Sequence, residues 1–250
     1  MKTTKRVSSI WGAISLMLLF TQPCQAEGIV SVGLGTFTGA GEYKGSDGNN
    51  YTLPLVAYES DEWSVNPLRV EYHLGLTKAL WVDAIAAFRL KGFDEDLSRY
   101  TRGMEERDHS LDAGFAINSY SSTLGLISLE VLHDISSVHK GYEVSLAYLY
   151  PIEVDSWSFM PTIFVERQSD KLVDYYYGVR ANEVNEERAA YQGESSMNYG
   201  VAMAIDYQIN KSWSLQSSAS WRQLDDSITD SPLVDSDTSW DMGLSVFFSF

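Results

Sequence analysis

Cysteine occurs once in the 250 residues, at Cys24, so no disulfide can form within the chain. A chain of this size without one must hold itself together by other means. No apolar run reaches the ~20 residues that a membrane-crossing helix requires, which excludes a helical membrane protein. Basic residues are scarce: 18 Lys and Arg face 34 Asp and Glu, a net charge of −16 at pH 7. Nucleic acid is thereby excluded as a partner, and so is electrostatic docking onto an anionic lipid surface. With four histidines and that one cysteine, no spacing matches a metal site, and neither a metal nor a cofactor is expected.

What the chain does have is a short export-type leader and many alternating segments. Lys2, Lys5 and Arg6 precede the apolar residues 10–20, and Cys24-Gln25-Ala26 follows, the pattern of a cleavable signal over residues 1–26. The residues before Cys24 do not resemble a lipoprotein processing site. Removing the three basic residues of the leader leaves 15 Lys and Arg against 34 acids, or −19, for residues 27–250. At the other end, Trp240, Met242, Leu244, Val246, Phe248 and Phe250 share one face of a strand, opposite Asp241, Gly243, Ser245, Phe247 and Ser249. A membrane-crossing β-strand needs roughly 9 to 11 tilted residues. This segment has that length and ends on an aromatic, as an outer-membrane assembly signal does, so loss of Phe250 is expected to leave unfolded protein.

The same period of two recurs along the chain. Val30, Val32 and Leu34 alternate with Ser31, Gly33 and Gly35; Leu68, Val70, Tyr72 and Leu74 alternate with Arg69, Glu71 and His73; Tyr199, Val201, Met203 and Ile205 alternate with Gly200, Ala202 and Ala204. The connections fall into two classes. Those near Thr77, Tyr120, Asp155 and Asn210 are short, whereas residues 91–109, 168–196 and 225–237 are long and polar. Short turns on one rim and long loops on the other describe an outer-membrane barrel, all-β and antiparallel. A direct count gives eleven strands, and single-chain bacterial barrels have even numbers. Residues 79–90 also fit a helical face, which would leave ten. Residues 51–76, interrupted at Asn66-Pro67, have room for an extra strand, which makes twelve, the preferred number. A soluble β-sandwich would alternate as well, but aromatics such as Tyr142, Tyr148, Trp157, Trp213 and Trp221 recur near strand ends, where interfacial girdles sit.

Four separated motifs then carry a resemblance. Gly41-Glu42-Tyr43-Lys44-Gly45-Ser46-Asp47, the stretch from Asp134 to Gly141, Asp174-Tyr175-Tyr176-Tyr177-Gly178-Val179 followed by Tyr191, and Asp230-Ser231-Pro232-Leu233-Val234 occur in the order seen in the MipA/OmpV family, which the chain resembles over its mature length. Gly41 stands where the family often has proline. The resemblance implies a barrel in the outer membrane of a Gram-negative bacterium, in contact with its lipid and lipopolysaccharide. It also implies a non-enzymatic scaffold that links a lytic transglycosylase to a murein synthase. A small cation-preferring channel and a surface adhesin or antigen are the alternatives. Of the motif residues, the three tyrosines read first as a loop folded back into the barrel mouth and second as a partner or glycan contact. Asp230-Ser231-Pro232 reads as a turn.

Catalysis has one place to hide. His133-Asp134 with Ser136, Ser137 and His139 lies at a strand-to-loop junction, but neighbours on a strand point to opposite faces, so no catalytic residue is expected there. Arg69, Arg89, Glu143, Glu166 and Asp206 fall on polar faces, where they either line a conducting lumen or close it with salt bridges.

Overall fold

The computed structural model describes residues 28–40, 42–46 and 48–250. The expected leader, Gly41 and Asp47 lie outside the described residues. The strands are β1 (Ile29–Gly39), β2 (Asn49–Glu59), β3 (Trp63–Asn66), β4 (Arg69–Gly75), β5 (Leu80–Arg89), β6 (Ser110–Ser121) and β7 (Gly125–Asp134). There follow β8 (Tyr142–Leu149, resuming as Ile152–Val154), β9 (Trp157–Gln168), β10 (Ser196–Gln208), β11 (Trp213–Gln223) and β12 (Thr238–Ser249). The two parts of β8 flank Tyr150-Pro151 and both pair with β9, so they are one strand broken where proline has no N–H to give the ladder. Each strand pairs antiparallel with the next, and β12 returns to β1 with Val32 opposite Phe248 and Leu34 opposite Val246. The result is a closed antiparallel barrel of 12 strands. Closure leaves no end strand, although the β2–β3 junction is laddered at only two positions.

Twelve is the number that parity and the crowded stretch favoured. Residues 51–76 hold three strands, with β3 the extra one, and the ambiguous residues 79–90 form β5 rather than a helix. Among the described residues no helix is long and apolar enough to cross a membrane.

The facing follows the alternation. Leu34, Phe115, Ile163, Val201 and Leu244 are exposed on the outside of the barrel, whereas Ser31, Asn118, Thr162, Gln216 and Ser245 are buried inside. Trp157 packs on Tyr207 near one end of the outer face, and Trp213 on Phe248. Trp221 stands opposite Trp240 near the other end. An apolar band between two aromatic levels is the exterior of a membrane barrel.

The interior carries buried apolar clusters and ion pairs. Near the short-turn rim Leu126, Leu149 and Met160 form a buried cluster with Trp81 and Tyr120 at its margin. Midway, Ile85, Ala116 and Leu132 form a second. Beside them Arg69 Nε reaches Glu71 at 2.5 Å and Arg69 Nη2 reaches Glu130 at 2.5 Å.

Candidate functional site

The long-loop rim is where the chain departs most from a plain barrel. After β9, Ser169 starts α1 (Asp170–Tyr177), a helix in what the alternation gives as loop. Its first turn is fixed by Val173 N–H donating to the Ser169 carbonyl at 3.0 Å, and its end by Gly178 N–H donating to the Asp174 carbonyl at 2.8 Å. The helix packs onto the β7–β8 loop at Gly141, where a Cβ would come within 2.5 Å of Ser169 Oγ and 2.7 Å of the Leu172 nitrogen. Only glycine permits that approach. Leu172, Val173, Tyr176 and Tyr177 are all 0% exposed.

Four loops close over this helix. Tyr43, Phe93, Met104, Val179, Leu224, Ile228, Leu233 and Val234 join the buried side of α1 in one apolar cluster. A barrel that opened freely to water would have no such core at its mouth. Tyr43 packs edge-on against Phe93 with centroids 4.8 Å apart and donates to the Tyr176 carbonyl at 3.2 Å. Lys44 N–H donates to the Leu233 carbonyl at 2.7 Å, fastening the first loop to the last, while Gly45 turns the chain at φ +72°. Asp174 Oδ1 accepts from Gly193 N–H at 2.9 Å, and Asp108 N–H donates to the Tyr175 hydroxyl at 2.9 Å. In the last loop a single turn, α2 (Asp226–Thr229), precedes Asp230 and Pro232, and Ser231 Oγ donates to the Tyr177 carbonyl at 2.6 Å. Of the three tyrosines two are wholly inside the cap and Tyr175 is half-buried.

Beneath the apolar cluster lies a charged layer. Lys91 Nζ donates to the Tyr177 hydroxyl at 2.5 Å and pairs with Glu42 at 3.0 Å, and Tyr177 in turn donates to Glu42. Burial opposes the charge on Glu42, but the neighbouring Lys91 and Arg222 cations hold its carboxyl below the usual range. Burial raises the Tyr43 and Tyr177 hydroxyls well above their ordinary value, so both remain neutral donors. Arg89 Nε donates to Asp112 at 2.7 Å and Arg89 Nη1 to Glu143 at 3.2 Å, and Gln168 Nε2 donates to the same Glu143 oxygen at 2.9 Å. Arg222 Nε stands 3.0 Å from Glu166 without hydrogen-bond alignment. Arg69, Arg89, Glu143 and Glu166 are thus engaged in inward-facing ion pairs. Asp206 is inward-facing and half-buried, at the far end of β10.

The loops are also tied to each other by a buried guanidinium. Arg107 forms a two-pronged pair with Glu183 at 3.0 and 2.9 Å, and it donates to the carbonyls of Tyr175 and Glu105 at 2.7 Å each. Burial works against the Glu183 charge, yet hydrogen bonds from Arg107 and from backbone N–H groups keep its carboxyl below the usual range. Arg188 then donates to the Glu183 carbonyl at 2.9 Å. Sequence reasoning missed Arg107, Glu183 and Arg188. They are separated by up to 81 positions and no periodicity links them.

The His-Asp-Ser stretch is consumed in holding its loop. Asp134 Oδ1 accepts from Ser136 N–H at 2.7 Å and Asp134 Oδ2 from Lys140 N–H at 2.7 Å. His133 lies on the outer face, with Nδ1 donating to the Asp134 carbonyl at 2.8 Å. Gly141 N–H donates to His139 Nδ1 at 3.1 Å, which leaves the proton on Nε2 to donate to Asp112 at 3.1 Å. Asp112, Asp134 and His139 have ligand atoms close enough to share a cation, as do Glu71, His73 and Asp83. In both groups the same atoms are engaged within the protein: Asp83 takes one bond from Asn118 at 2.6 Å and lies 2.6 Å from His73.

Residues 32–250 match the model of the family described as MltA-interacting protein MipA. The outer membrane protein Omp26La of Vibrio anguillarum is 28% identical over 158 residues, covering 63% of this chain and 61% of that protein. The match thus spans less than two thirds of the Vibrio relative. The MltA-interacting protein of Escherichia coli K12 is 25% identical over 224 residues, covering 86% of this chain and 87% of that protein. Among solved structures, an outer membrane channel from Pseudomonas putida F1 aligns with a TM-score of 0.44 at 12% identity, over 92% of this chain and 97% of that one.

Proposed function

This chain belongs to the MltA-interacting protein family, and from that premise we propose that it is a non-enzymatic, non-conducting barrel whose short-turn rim holds a lytic transglycosylase at the inner side of the outer membrane. The observation that carries the reading is the filled mouth. The helix α1, its buried tyrosines and the Arg89, Lys91 and Arg222 ion pairs at the mouth support this reading over the cation-preferring channel. A barrel with a filled mouth offers surfaces to partners, and the name of the Escherichia coli relative supplies the class of partner. Murein lies on the periplasmic side, where the short turns at residues 60–62, 76–79, 122–124, 155–156 and 209–212 stand. A murein synthase would be the second partner of such a scaffold, on the same rim.

The test uses the full barrel in detergent, immobilised and exposed to purified transglycosylase and then synthase. Retention of the transglycosylase is expected to survive trimming of the 181–192 loop segment and to fall when the short turns are exchanged for Gly-Ser turns. Absence of retention, or its loss on trimming the long loop, overturns the reading. Planar-bilayer recording adds a second check: a steady cation-selective current from the unaltered protein would favour the channel instead.

A further inference from the structure

Among the described residues the barrel wall is laddered least between β2 and β3. These strands pair at just Tyr58 with Val65 and Glu59 with Ser64, whereas the other face of β2 is laddered to β1 from Ile29 to Gly39. Alternation of the ladder identifies the groups left over. In β1, Val30 and Ala40 bond toward β12, through Phe250 N–H to the Val30 carbonyl and Ala40 N–H to the Trp240 carbonyl. The odd-numbered residues of β1 therefore bond toward β2, at Leu53, Leu55 and Ala57. Thr52, Pro54 and Val56 must then turn their backbone groups the other way, in the same phase as Ser60 N–H, which donates to the Trp63 carbonyl at 2.8 Å. Among the described residues no ladder partner stands opposite these three.

Two prolines lie at the junction. Pro54 lies in the middle of the unpaired edge, and Pro67 sits at the tip of the β3–β4 hairpin, where an extended ladder would place it against Val56; neither has an N–H to offer. The tip is tied away from β2, since Phe88 N–H of β5 donates to the Leu68 carbonyl at 2.8 Å. Leu53 points inward but is 42% exposed, while the next inward residue, Leu55, is 8% exposed. Immediately behind the gap Phe37, Leu55 and Phe247 form an apolar cluster with Tyr51 beside it.

The edge lies inside the membrane zone. Thr38 pairs with both Asn50 and Met242, and Met242 is inward of the Trp240 aromatic level, while Tyr58 marks the opposite level. Unpaired backbone there has no water to turn to. The missing donor of Pro54 makes the edge a poor template for another strand. We propose that the β2–β3 junction is a lateral portal that takes one acyl chain of an outer-leaflet phospholipid across Leu53 onto Phe37, Leu55 and Phe247, with the lipid's ester oxygens accepting from the Thr52 and Val56 N–H groups. The net charge of −19 over residues 27–250, 15 Lys and Arg against 34 acids, favours a zwitterionic phospholipid over polyanionic lipopolysaccharide. The portal does not depend on the scaffold reading.

The experiment places a benzophenone amino acid at Leu53, at inward-facing Ala202 on the closed wall, and at outward-facing Leu244, in full-length protein reconstituted into phosphatidylcholine vesicles with or without lipopolysaccharide. After irradiation, mass spectrometry should find a phospholipid adduct at position 53 comparable with that at 244 and several-fold above that at 202. The double variant Pro54→Thr/Pro67→Thr, which restores both donors, should fold with normal heat-modifiable migration and reduce the adduct at 53 toward the level at 202. Labelling at 53 no greater than at 202, cross-linking to a second copy of the protein, lipopolysaccharide displacing phospholipid, or an adduct indifferent to the restored donors would each overturn the portal.

Discussion

Replacing Arg107 by Met tests whether the long-loop cap is a folded lid or a loose covering. Arg107 and Glu183 are each almost wholly buried, with side chains 1% exposed, and meet at 2.9 Å. Removing one partner of a buried pair leaves the other charge uncompensated, at a cost of about 3–5 kcal/mol. The loss should fall on the cap rather than the barrel, because every Arg107 side-chain hydrogen bond goes to the loop and cap residues Glu105, Tyr175, Gly178 and Glu183 and none to the strand ladder. At 1.4 kcal/mol per decade, the population of opened cap should rise roughly 10²- to 10³-fold or more. Protease cleavage within residues 181–192, under conditions where opening is fast relative to cutting, reads that population directly. Heat-modifiable migration should remain normal. The double variant Arg107→Met/Glu183→Met removes both charges and should recover most of the resistance, since an apolar pair of similar volume is often as stable as the ion pair it replaces. Cleavage of the single variant within a few-fold of the parent would refute the idea that this pair holds the cap.

Other expectations follow from the same geometry. Gly141→Val, which drives a side chain into Ser169 and Leu172, should cost about 1–3 kcal/mol by overpacking and appear as faster hydrogen exchange across residues 170–177 with the barrel intact. The cap should also loosen in acid. Glu183 and Glu42 have folded values below their unfolded ones, so their stabilisation is full above the unfolded value, about 4.3 for glutamate, and is lost as pH falls through the folded values. Cleavage in the cap should therefore be flat from neutral pH down to about 4 and rise below it; a midpoint near pH 6 would assign the effect to other groups. Leu244→Arg, on the outer face where Leu244 pairs with Thr36 and Ser217, should lower unfolding free energy in lipid by about 2–4 kcal/mol, and no change would reverse the facing of the strands.

The barrel was legible in the sequence because its signal is local. A strand with one face in lipid must alternate at every second residue, and Trp240, Met242, Leu244 and Val246 show this without reference to any other segment. Parity of strand number and the break at Asn66-Pro67 then carried the count to twelve. Loop classes were equally plain, since polarity and length are properties of the segment itself. The cap was not. Residues 170–177 become a helix because Gly141, Phe93 and Leu233, far away in sequence, make a dry surface for Leu172, Val173, Tyr176 and Tyr177; an eight-residue segment has little helical tendency alone. Arg107 meeting Glu183, Lys91 meeting Glu42 and Arg89 meeting Glu143 are likewise consequences of which strands the loops join. Alternation determined what faces lipid and what faces inward. Only closure of the barrel decided that the inward charges would pair off and that four loops would share one core, because those contacts are made between segments whose separation along the chain carries no record of them.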